Sequence, residues 1–332
     1  MENPNIQSTL NMLASQTDQR TSVFDIEIER LQNTSLTLMG RLLHESQLET
    51  LAHHFANWKL DTASIRILHR GDLPRMHVAT NLTGLYEKPT FGMPLSSELC
   101  YGTEVDILDE EGRWVFTRQR DGYLGWAYKG YLSEGPASET THLVLAPSCE
   151  LRAQPDAESE IVTRLVSGTG VCVEETNGVW ARVVANKAGW MPRSLLRAIS
   201  AIPKSTDEKR YTILEDARRM TGVPYLWGGT SGNGIDCSGF VRLLHKWVGV
   251  EIPRDADMQH ATASPVEPPF EVGDLLFFRE GGSQRTVTHV GISLGGWTMI
   301  HASRRNNGVY VDDVQEWESL KEIFVSAGSF LR

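Results

Sequence analysis

The sequence contains no apolar stretch long enough to span a bilayer and no recognisable export signal. Its first residues, MENPNIQSTLNMLASQTDQR, lack the basic segment followed by an apolar core that a signal peptide carries. We therefore expect a cytoplasmic protein without a membrane partner. A chain shortened from a longer precursor would instead be secreted.

Basic residues are in the minority, with 32 Lys and Arg against 42 Asp and Glu, and the formal net charge is −10. No run of Lys or Arg forms a stripe that could neutralise phosphates, so nucleic acid is not an expected partner. The acidic balance suits a substrate that carries a free amine, although such a charge more often serves solubility alone.

Cysteine is also scarce, and Cys100, Cys149, Cys172 and Cys237 show no paired spacing such as CxxC. Neither a disulfide framework nor a structural zinc site is therefore indicated. Cys100 and Cys172 lie in apolar runs that are typical of strands, where a cysteine is usually a small buried hydrophobe.

The length of 332 residues predicts two or three domains of roughly 100 to 150 residues each. Between residues 35 and 60 the apolar side chains recur at helical spacing. This pattern predicts a helical N-terminal region over residues 1–75.

A weak internal repeat follows, in which Trp114 matches Trp180 and Gly125-Trp126 matches Gly189-Trp190. Each copy consists of short apolar runs separated by turn residues and has the size of a small β-barrel. We place the two copies at residues 76–136 and 140–200.

A third domain is predicted to begin near residue 205, where Ser205 and Glu208 have the spacing of a capping box ahead of a helix. That helix should end near Gly222, because Pro224 disfavours helical geometry at the residue before it.

The stretch NGIDCSGFVRLLHKW contains an amphipathic helix whose apolar face begins at Phe240 and ends at Val248. Cys237 falls in its first turn, where unpaired N–H groups and the helix dipole favour a thiolate over a thiol. The preceding glycines allow close backbone approach and leave the site partly open. We therefore expect a reactive thiol rather than an inert buried one.

A nucleophilic thiol needs a base within hydrogen-bond reach, and the base needs a group that orients it. His245 is excluded, since it lies roughly 12 Å further along the same helix. The segment TVTHVGISLGGWTMIHAS predicts a β-hairpin that carries His289 and His301. A two-residue loop would turn these histidines to opposite faces, whereas a three-residue loop over residues 294–296 would set them directly opposite each other.

We favour the three-residue loop, with His289 as base and His301 holding its ring, and keep His260 as a reserve for the third member. A zinc hydrolase with Cys237, both histidines and Asp236 as ligands is the alternative. Separations of 52 and 12 residues argue against it, since zinc ligands often come in short-range pairs.

Six ordered motifs, VPYLWGG, GIDCSGFVRLLH, PRDADMQ, VGDLLFF, THVGI and MIHAS, resemble those of the NlpC-type papain-like cysteine peptidases. The resemblance covers about residues 205–332. Together with the upstream repeat, the chain is similar to γ-D-glutamyl-L-diamino acid endopeptidases that carry two bacterial SH3-like domains. It implies an α+β fold: a papain-like domain preceded by two small SH3-like β-barrels and the helical N-terminal region.

The resemblance implies that Cys237 is the nucleophile, His289 the general base and then acid, and His301 the orienting residue. The phenol of Tyr225 would help the backbone N–H of Cys237 to bind the oxyanion. It further implies a pocket for the first two residues of the substrate, lined by Asp236, Ser238, Asp255 and Tyr123.

Two positions depart from the family pattern. Ser96 stands where related enzymes have a glutamate for the substrate amine, and Ala256 follows Asp255 where a serine is common. Two outcomes are open: either Glu98 supplies the missing carboxylate, or the amine is held less tightly.

The implied reaction is cleavage after D-glutamate in L-Ala-γ-D-Glu-diamino acid peptides from the cell wall, with a free N-terminal L-alanine and no cofactor or metal. A cytoplasmic location would make the role one of recycling wall peptides. The alternatives are a secreted cell-wall hydrolase, a non-catalytic peptidoglycan-binding protein, and acyl transfer to an acceptor other than water. The sequence does not select the diamino acid.

Overall fold

The computed structural model describes residues 4–282 and 285–331. The chain divides into two compact units. The first consists of Met1–Met76 with Glu104–Lys129, and the second of His77–Thr103 with Gly130–Arg332. Among the described residues no helix is both long and apolar enough to cross a membrane.

The N-terminal region is a small sheet with two helices, not the helical segment that the spacing predicted. Its elements are α1 (Pro4–Ser15), β1 (Phe24–Gln32), β2 (Ser35–Leu42), α2 (Ser46–His54) and β3 (Lys59–Ile67). Strand β2 pairs antiparallel with β1 and parallel with β3, so α2 is the crossover of a βαβ unit. The predicted helix is wrong over β2 and β3, because Leu36 and Leu38 are buried at a period of two.

The first repeat contains short antiparallel strands. They are β4 (Arg75–Val78), β5 (Leu82–Tyr86), β6 (Leu95–Cys100), β7 (Glu104–Glu111), β8 (Trp114–Arg118), β9 (Leu124–Tyr128) and β10 (Leu132–Glu134), with a 3-10 turn at Lys129–Tyr131. In the first unit β7, β8 and β9 form an antiparallel meander. In the second unit β5 and β6 form a hairpin.

The second repeat forms a seven-stranded antiparallel sheet in the second unit, in the order β13-β12-β16-β15-β14-β11-β17. The strands are β11 (His142–Val144), β12 (Ser148–Arg152), β13 (Ile161–Val166), β14 (Gly170–Asn177), β15 (Trp180–Val184), β16 (Ala188–Pro192) and β17 (Leu196–Ala198), with 3-10 turns at Arg193–Leu195 and Ile199–Ala201. Leu151, Leu165, Val183 and Met191 form its buried core.

The two repeats share one hairpin geometry at the positions that the sequence matched. Trp126 lies opposite Phe116, two residues after Trp114. Trp190 likewise lies opposite Arg182, two residues after Trp180. The repeated tryptophans therefore mark equivalent β8–β9 and β15–β16 pairs.

The C-terminal domain packs helices against a six-stranded sheet in the order β20-β25-β21-β22-β23-β24. Its helices are α3 (Thr206–Arg219), α4 (Cys237–Trp247), α5 (Ala256–Thr262) and α6 (Glu318–Ile323). Its strands are β18 (Thr230–Ser231), β19 (Gly234–Ile235), β20 (Ser264–Val266), β21 (Leu275–Phe278), β22 (His289–Ser293), β23 (Thr298–Ser303), β24 (Gly308–Asp313) and β25 (Phe324–Ser329).

The capping box predicted at Ser205 and Glu208 is confirmed, and the start of a domain at this point stays a prediction. Ser205 caps α3 by accepting a hydrogen bond from the Glu208 N–H, while the Glu208 carboxylate accepts one from the Ser205 N–H. Helix α4 buries Phe240, Leu244 and Trp247 in one core and packs against β22 and β23. This packing fixes the first turn of α4 beside the strands that carry the two histidines.

Candidate active site

Cys237 is the first residue of α4, as the sequence predicted. The helix begins there because Asp236 is its N-cap, with Oδ1 accepting a hydrogen bond of 2.7 Å from the Gly239 N–H. The thiol sulfur accepts hydrogen bonds from the backbone N–H groups of Ser238 and Val290. Because Val290 directly follows His289, the thiol lies against the start of β22.

The two imidazoles share one face of the sheet, which confirms a hairpin loop with an odd number of residues. The loop is displaced by one residue from its predicted position, however. Strand β22 pairs with β23 through Ile292↔Ile300 and Ser293↔Met299, so the loop covers residues 295–297. Continuing this register puts Gly291, not His289, opposite His301, and the predicted direct opposition of the histidines is wrong.

Ser293 explains the displaced loop. Its hydroxyl accepts a hydrogen bond from the Gly295 N–H at 3.0 Å and donates one to the Gly296 carbonyl at 2.9 Å. Both glycines have positive φ, at 111° and 65°, which residues with a side chain rarely adopt. The histidines are consequently diagonal neighbours across the hairpin.

A chain of hydrogen bonds joins His289, His301 and Asp312. Nε2 of His289 is 2.6 Å from Nδ1 of His301, and Nε2 of His301 is 2.9 Å from Oδ2 of Asp312. The carboxylate can only accept, so His301 carries its proton on Nε2 and accepts at Nδ1 from His289. This order leaves the Nδ1 lone pair of His289 available as a base.

Asp312 was not predicted from the sequence. It lies on β24, the strand that pairs with β23 and places Tyr310 opposite His301. The hydrogen bond from His301 is the main cause that lowers the pKa of Asp312. The available signal was the alternation in GVYVDD, which turns Tyr310 and Asp312 to the face that His301 occupies.

Burial opposes ionisation of the thiol in the unliganded site, whereas its position at a helix N-terminus favours ionisation. Burial first, and then the negative charge of Asp236, raise the pKa of Cys237 to about 12. Burial also lowers the pKa of His289 well below its ordinary value, and a charge on His301 lowers it further. Both shifts favour a thiol and a neutral imidazole over an ion pair.

Tyr225 lies close to the nucleophile. Burial first, and then the charge of an ionised Cys237, raise the pKa of its phenol, which stays protonated and can donate a hydrogen bond. The guanidinium of Arg304 lies 5.7 Å from the centroid of the Tyr225 ring. Tyr225 can therefore direct a donor toward an atom that bonds to the Cys237 sulfur.

Arg254, another residue that sequence reasoning missed, connects several of the predicted pocket residues. It is buried, and its guanidinium lies 2.7 Å from Oδ2 and 3.1 Å from Oδ1 of Asp236. It also donates to the hydroxyls of Ser238 at 3.0 Å and Ser97 at 3.1 Å. Asp236 and Ser238 are thus held within the fold, and their contact with substrate stays a prediction.

Two other carboxylates proposed to bind the substrate amine lie in the same unit. Glu98 accepts a hydrogen bond of 2.8 Å from the Thr230 N–H, and burial is the main cause that raises its pKa. Asp255 is the N-cap residue of α5 and lies 3.9 Å from the Arg254 guanidinium. Tyr123 is buried in the first unit, and its role in closing the pocket stays a prediction.

The remaining histidines of the domain serve other contacts. Nδ1 of His245 bonds to the Val241 carbonyl inside α4, as a helix-core histidine would. His260, the reserve candidate, bonds to the Ser326 hydroxyl at 2.9 Å and packs on Phe277 instead of joining the histidine pair. Within residues 4–282 and 285–331, no group of three or more His, Cys, Asp or Glu side chains is arranged to hold a metal ion.

Two family models match the chain. The NlpC/P60 family matches residues 222–327, and the bacterial dipeptidyl-peptidase Sh3 domain matches residues 85–131. The first range contains Cys237, both histidines and Asp312.

Several known proteins are similar to this chain over much of their length. A γ-D-glutamyl-L-lysine dipeptidyl-peptidase from Bacillus subtilis is 28% identical over 240 residues, which cover 69% of this chain and 79% of the relative. A probable endopeptidase from Corynebacterium glutamicum is 32% identical over 165 residues, 45% of this chain and 75% of the relative.

A solved structure has a similar fold. The crystal structure of an NlpC/P60 family protein from Bacillus cereus aligns with a TM-score of 0.67 at 22% identity, covering 78% of this chain and all of that chain. The similarity therefore extends well beyond the C-terminal domain.

Proposed function

Because the chain belongs to the NlpC/P60 family of cysteine peptidases, we propose that it hydrolyses the bond between γ-D-glutamate and a diamino acid in cell-wall stem peptides. Its substrates would carry a free N-terminal L-alanine, and its product would be L-Ala-D-Glu. The main observation behind this proposal is the chain of hydrogen bonds from His289 through His301 to Asp312. His289 begins the strand whose next residue, Val290, contacts the Cys237 thiol. The names of the similar Bacillus enzymes support the substrate class.

In the first step the Cys237 sulfur attacks the γ-carbonyl carbon of D-glutamate while its proton moves to Nδ1 of His289. Because both pKa shifts favour a neutral resting pair, we propose that this transfer accompanies the attack. The carbonyl oxygen gains the negative charge and accepts hydrogen bonds from the Cys237 N–H and the Tyr225 hydroxyl. His301 and Asp312 stabilise the imidazolium that forms at His289.

The tetrahedral intermediate collapses when the C–N bond breaks and His289 returns its proton to the departing amine. The diamino acid leaves, and the acyl group stays on Cys237 as a thioester. Water then attacks the thioester carbonyl and gives its proton to His289. Breaking the C–S bond and returning that proton to sulfur release L-Ala-D-Glu.

Recognition of the substrate amine is proposed to involve Glu98 and Asp255, with Asp236 and Ser238 shaping the pocket. The environment of Glu98 supports this assignment. Its carboxylate is mostly buried and its pKa is raised, so a bound cationic amine would offset the cost of desolvating the charge. An enzyme that releases dipeptides must bind the free N-terminus of its substrate, so that the second peptide bond lies at the nucleophile. Binding the charged amine requires a group of opposite charge.

We also propose that residues 76–136 and 140–200 are two bacterial SH3-like domains and that residues 205–332 are the peptidase domain. The family match over residues 85–131 and the equivalent tryptophan hairpins support this division. A recycling role in the cytoplasm is part of the same proposal. Release of product from intact sacculi, or recovery of the protein from culture medium, would contradict that role.

The test of the activity uses L-Ala-γ-D-Glu-L-Lys and its N-acetylated form, with products identified by mass. We expect L-Ala-D-Glu and lysine from the first peptide only, and no turnover by Cys237→Ser or after iodoacetamide treatment. Cys172→Ser, a half-buried cysteine on β14, is the matched control and should stay active. Equal cleavage of both peptides would refute the amine requirement, and no cleavage of the lysine peptide or of its diaminopimelate counterpart would refute the activity.

A further inference from the structure

A cavity of about 420 Å³ adjoins the histidine pair. None of Asp236, Ser238, Asp255 or Glu98 lines it. The residues that do line it include Tyr225, Trp227, His289, His301, Arg304 and Arg305. Because His289 must hand its proton to the departing amine, the diamino acid has to lie against this imidazole. The cavity is therefore where the leaving residue would sit.

Two consecutive arginines dominate one wall of the cavity. Arg304 and Arg305 follow β23, at the turn that leads into β24. The Arg304 guanidinium lies 5.0 Å from the centroid of the Trp227 ring, and the Arg305 guanidinium lies 3.7 Å from that of Trp317. Stacking on an aromatic face orients a guanidinium without using its in-plane N–H groups, and Arg304 directs one of these at the Tyr225 hydroxyl.

Both guanidinium groups lack a carboxylate partner within the described part of the chain, where no ion pair of 4.0 Å or less involves either of them. Two acidic side chains line the cavity, Asp312 and Glu280. Asp312 accepts a hydrogen bond from His301 and also interacts with the charge of Arg305, and Arg285 is a third cation among the lining residues. The cavity therefore carries more positive than negative side chains, in a chain whose net charge is −10.

We propose that Arg304 and Arg305 form a leaving-group subsite that binds a carboxylate of the diamino acid. This inference rests on the proposed function and extends it to the specificity of the leaving side. A forked guanidinium pairs with a carboxylate through two parallel hydrogen bonds, so the subsite selects a planar anion over an amide of the same shape. The carboxylate is either the α-carboxylate of a C-terminal diamino acid or the second carboxylate of diaminopimelate.

Three peptides separate these two sources. The first is L-Ala-γ-D-Glu-L-Lys with a free α-carboxylate, and the second is its C-terminal amide. The third ends in diaminopimelate whose α-carboxyl is amidated, so that only its distal carboxylate remains. Wild-type protein is compared with Arg305→Gln and with the variant that combines Arg304→Gln and Arg305→Gln. Arg218→Gln, an exposed arginine on α3 that pairs with Glu215, is the charge-matched control.

We expect wild-type protein to cleave the free acid with a kcat/KM about tenfold above that of the amide, mainly through KM, as charge-assisted hydrogen bonds predict. Arg305→Gln should reduce this ratio and the double variant should bring it to about one, while Arg218→Gln should keep the wild-type ratio. Arg305→Gln is the cleaner single change, because Arg304 also contacts the Tyr225 ring. The third peptide shows which carboxylate is bound, by behaving like the acid or like the amide.

The proposal is overturned if wild-type protein cleaves acid and amide equally well, or if the double variant keeps the full preference. If no peptide is cleaved, the proposed function fails, and the subsite is then tested by measuring peptide binding. Calorimetric titration of Cys237→Ala with the acid and the amide should then give tighter binding of the acid, lost in the added Arg305→Gln change. Equal binding of the two peptides would reject the subsite by itself.

Discussion

His301 donates a hydrogen bond of 2.9 Å from Nε2 to the carboxylate of Asp312, and this contact determines which nitrogen of each active-site histidine carries a proton. The effect reaches His289 through the 2.6 Å bond between the two rings. The base is thus oriented by two residues in series, and the carboxylate that begins the series lies on a strand beyond the histidine hairpin.

Replacing Asp312 should therefore reduce turnover without preventing substrate binding. An asparagine at this position can present its N–H₂ to His301, which would move the His301 proton to Nδ1 and reverse the bond to His289. For Asp312→Asn we expect kcat to fall about 100-fold with little change in KM, within the range of general-base effects. Asp313→Asn, on the same strand and bonded to Thr298, is the control. A kcat within twofold of wild type would contradict the proposed orientation of His289 by Asp312 through His301.

Removing Arg254 should destabilise the C-terminal domain. Arg254→Met leaves the Asp236 carboxylate buried without its cation, a change that costs about 3–5 kcal/mol. Arg218→Met removes an exposed ion pair with Glu215 and should cost less than about 1 kcal/mol. The measurement is urea unfolding followed by tryptophan fluorescence. A midpoint for Arg254→Met equal to that of Arg218→Met would show that the buried pair contributes little.

The raised pKa of Cys237 predicts how the free protein reacts with iodoacetamide. A folded-state pKa above that of an ordinary cysteine leaves less thiolate at any given pH, so alkylation of Cys237 should be slower than that of free cysteine near pH 8. The rate should keep rising as the pH increases from 7 to 10. A plateau that begins below pH 7 would instead indicate a preformed thiolate–imidazolium pair and would reject the neutral resting state.

Glu98→Gln tests the carboxylate proposed for the substrate amine. Glutamine can still accept the hydrogen bond from the Thr230 N–H, so the loop that contains Thr230 should stay in place. The lost charge should raise KM for L-Ala-γ-D-Glu-L-Lys about tenfold, as expected for one charge-assisted hydrogen bond. Ser96→Ala, two residues earlier on β6, should change KM little. An unchanged KM for Glu98→Gln would assign amine binding to Asp255 or another group.

The position of the nucleophile and the shared face of the histidines followed from local rules. An N-cap aspartate fixes where α4 begins, and an odd loop keeps His289 and His301 on one side of their hairpin. An odd loop length does not say at which residue the loop begins. The sequence therefore could not reveal that the loop is shifted by one residue. That displacement depends on the Ser293 hydroxyl and on a bond from the Gly296 N–H to the Phe270 carbonyl, a residue outside the hairpin.

The N-terminal region and Arg254 show where sequence patterns fail for physical reasons. Strand β2 has leucines that fit both a helical and an alternating period, and pairing with β1 and β3 selects the strand. Arg254 looks like an ordinary surface residue until the fold brings Asp236, Ser238 and Ser97 around it. Ser97 is far away in the sequence, so no local pattern could predict that cluster.

The hairpin of β23 and β24 combines two tasks on one short piece of chain. Its strands carry His301 and Asp312, while its tip at residues 304–307 carries both arginines. Strand pairing from Thr298↔Asp313 to Ser303↔Gly308 anchors the stem independently of what the tip contains. A different tip that keeps Asn306, whose Nδ2 donates a hydrogen bond of 3.3 Å to Asp312, is consequently a route to enzymes with altered leaving-residue preference.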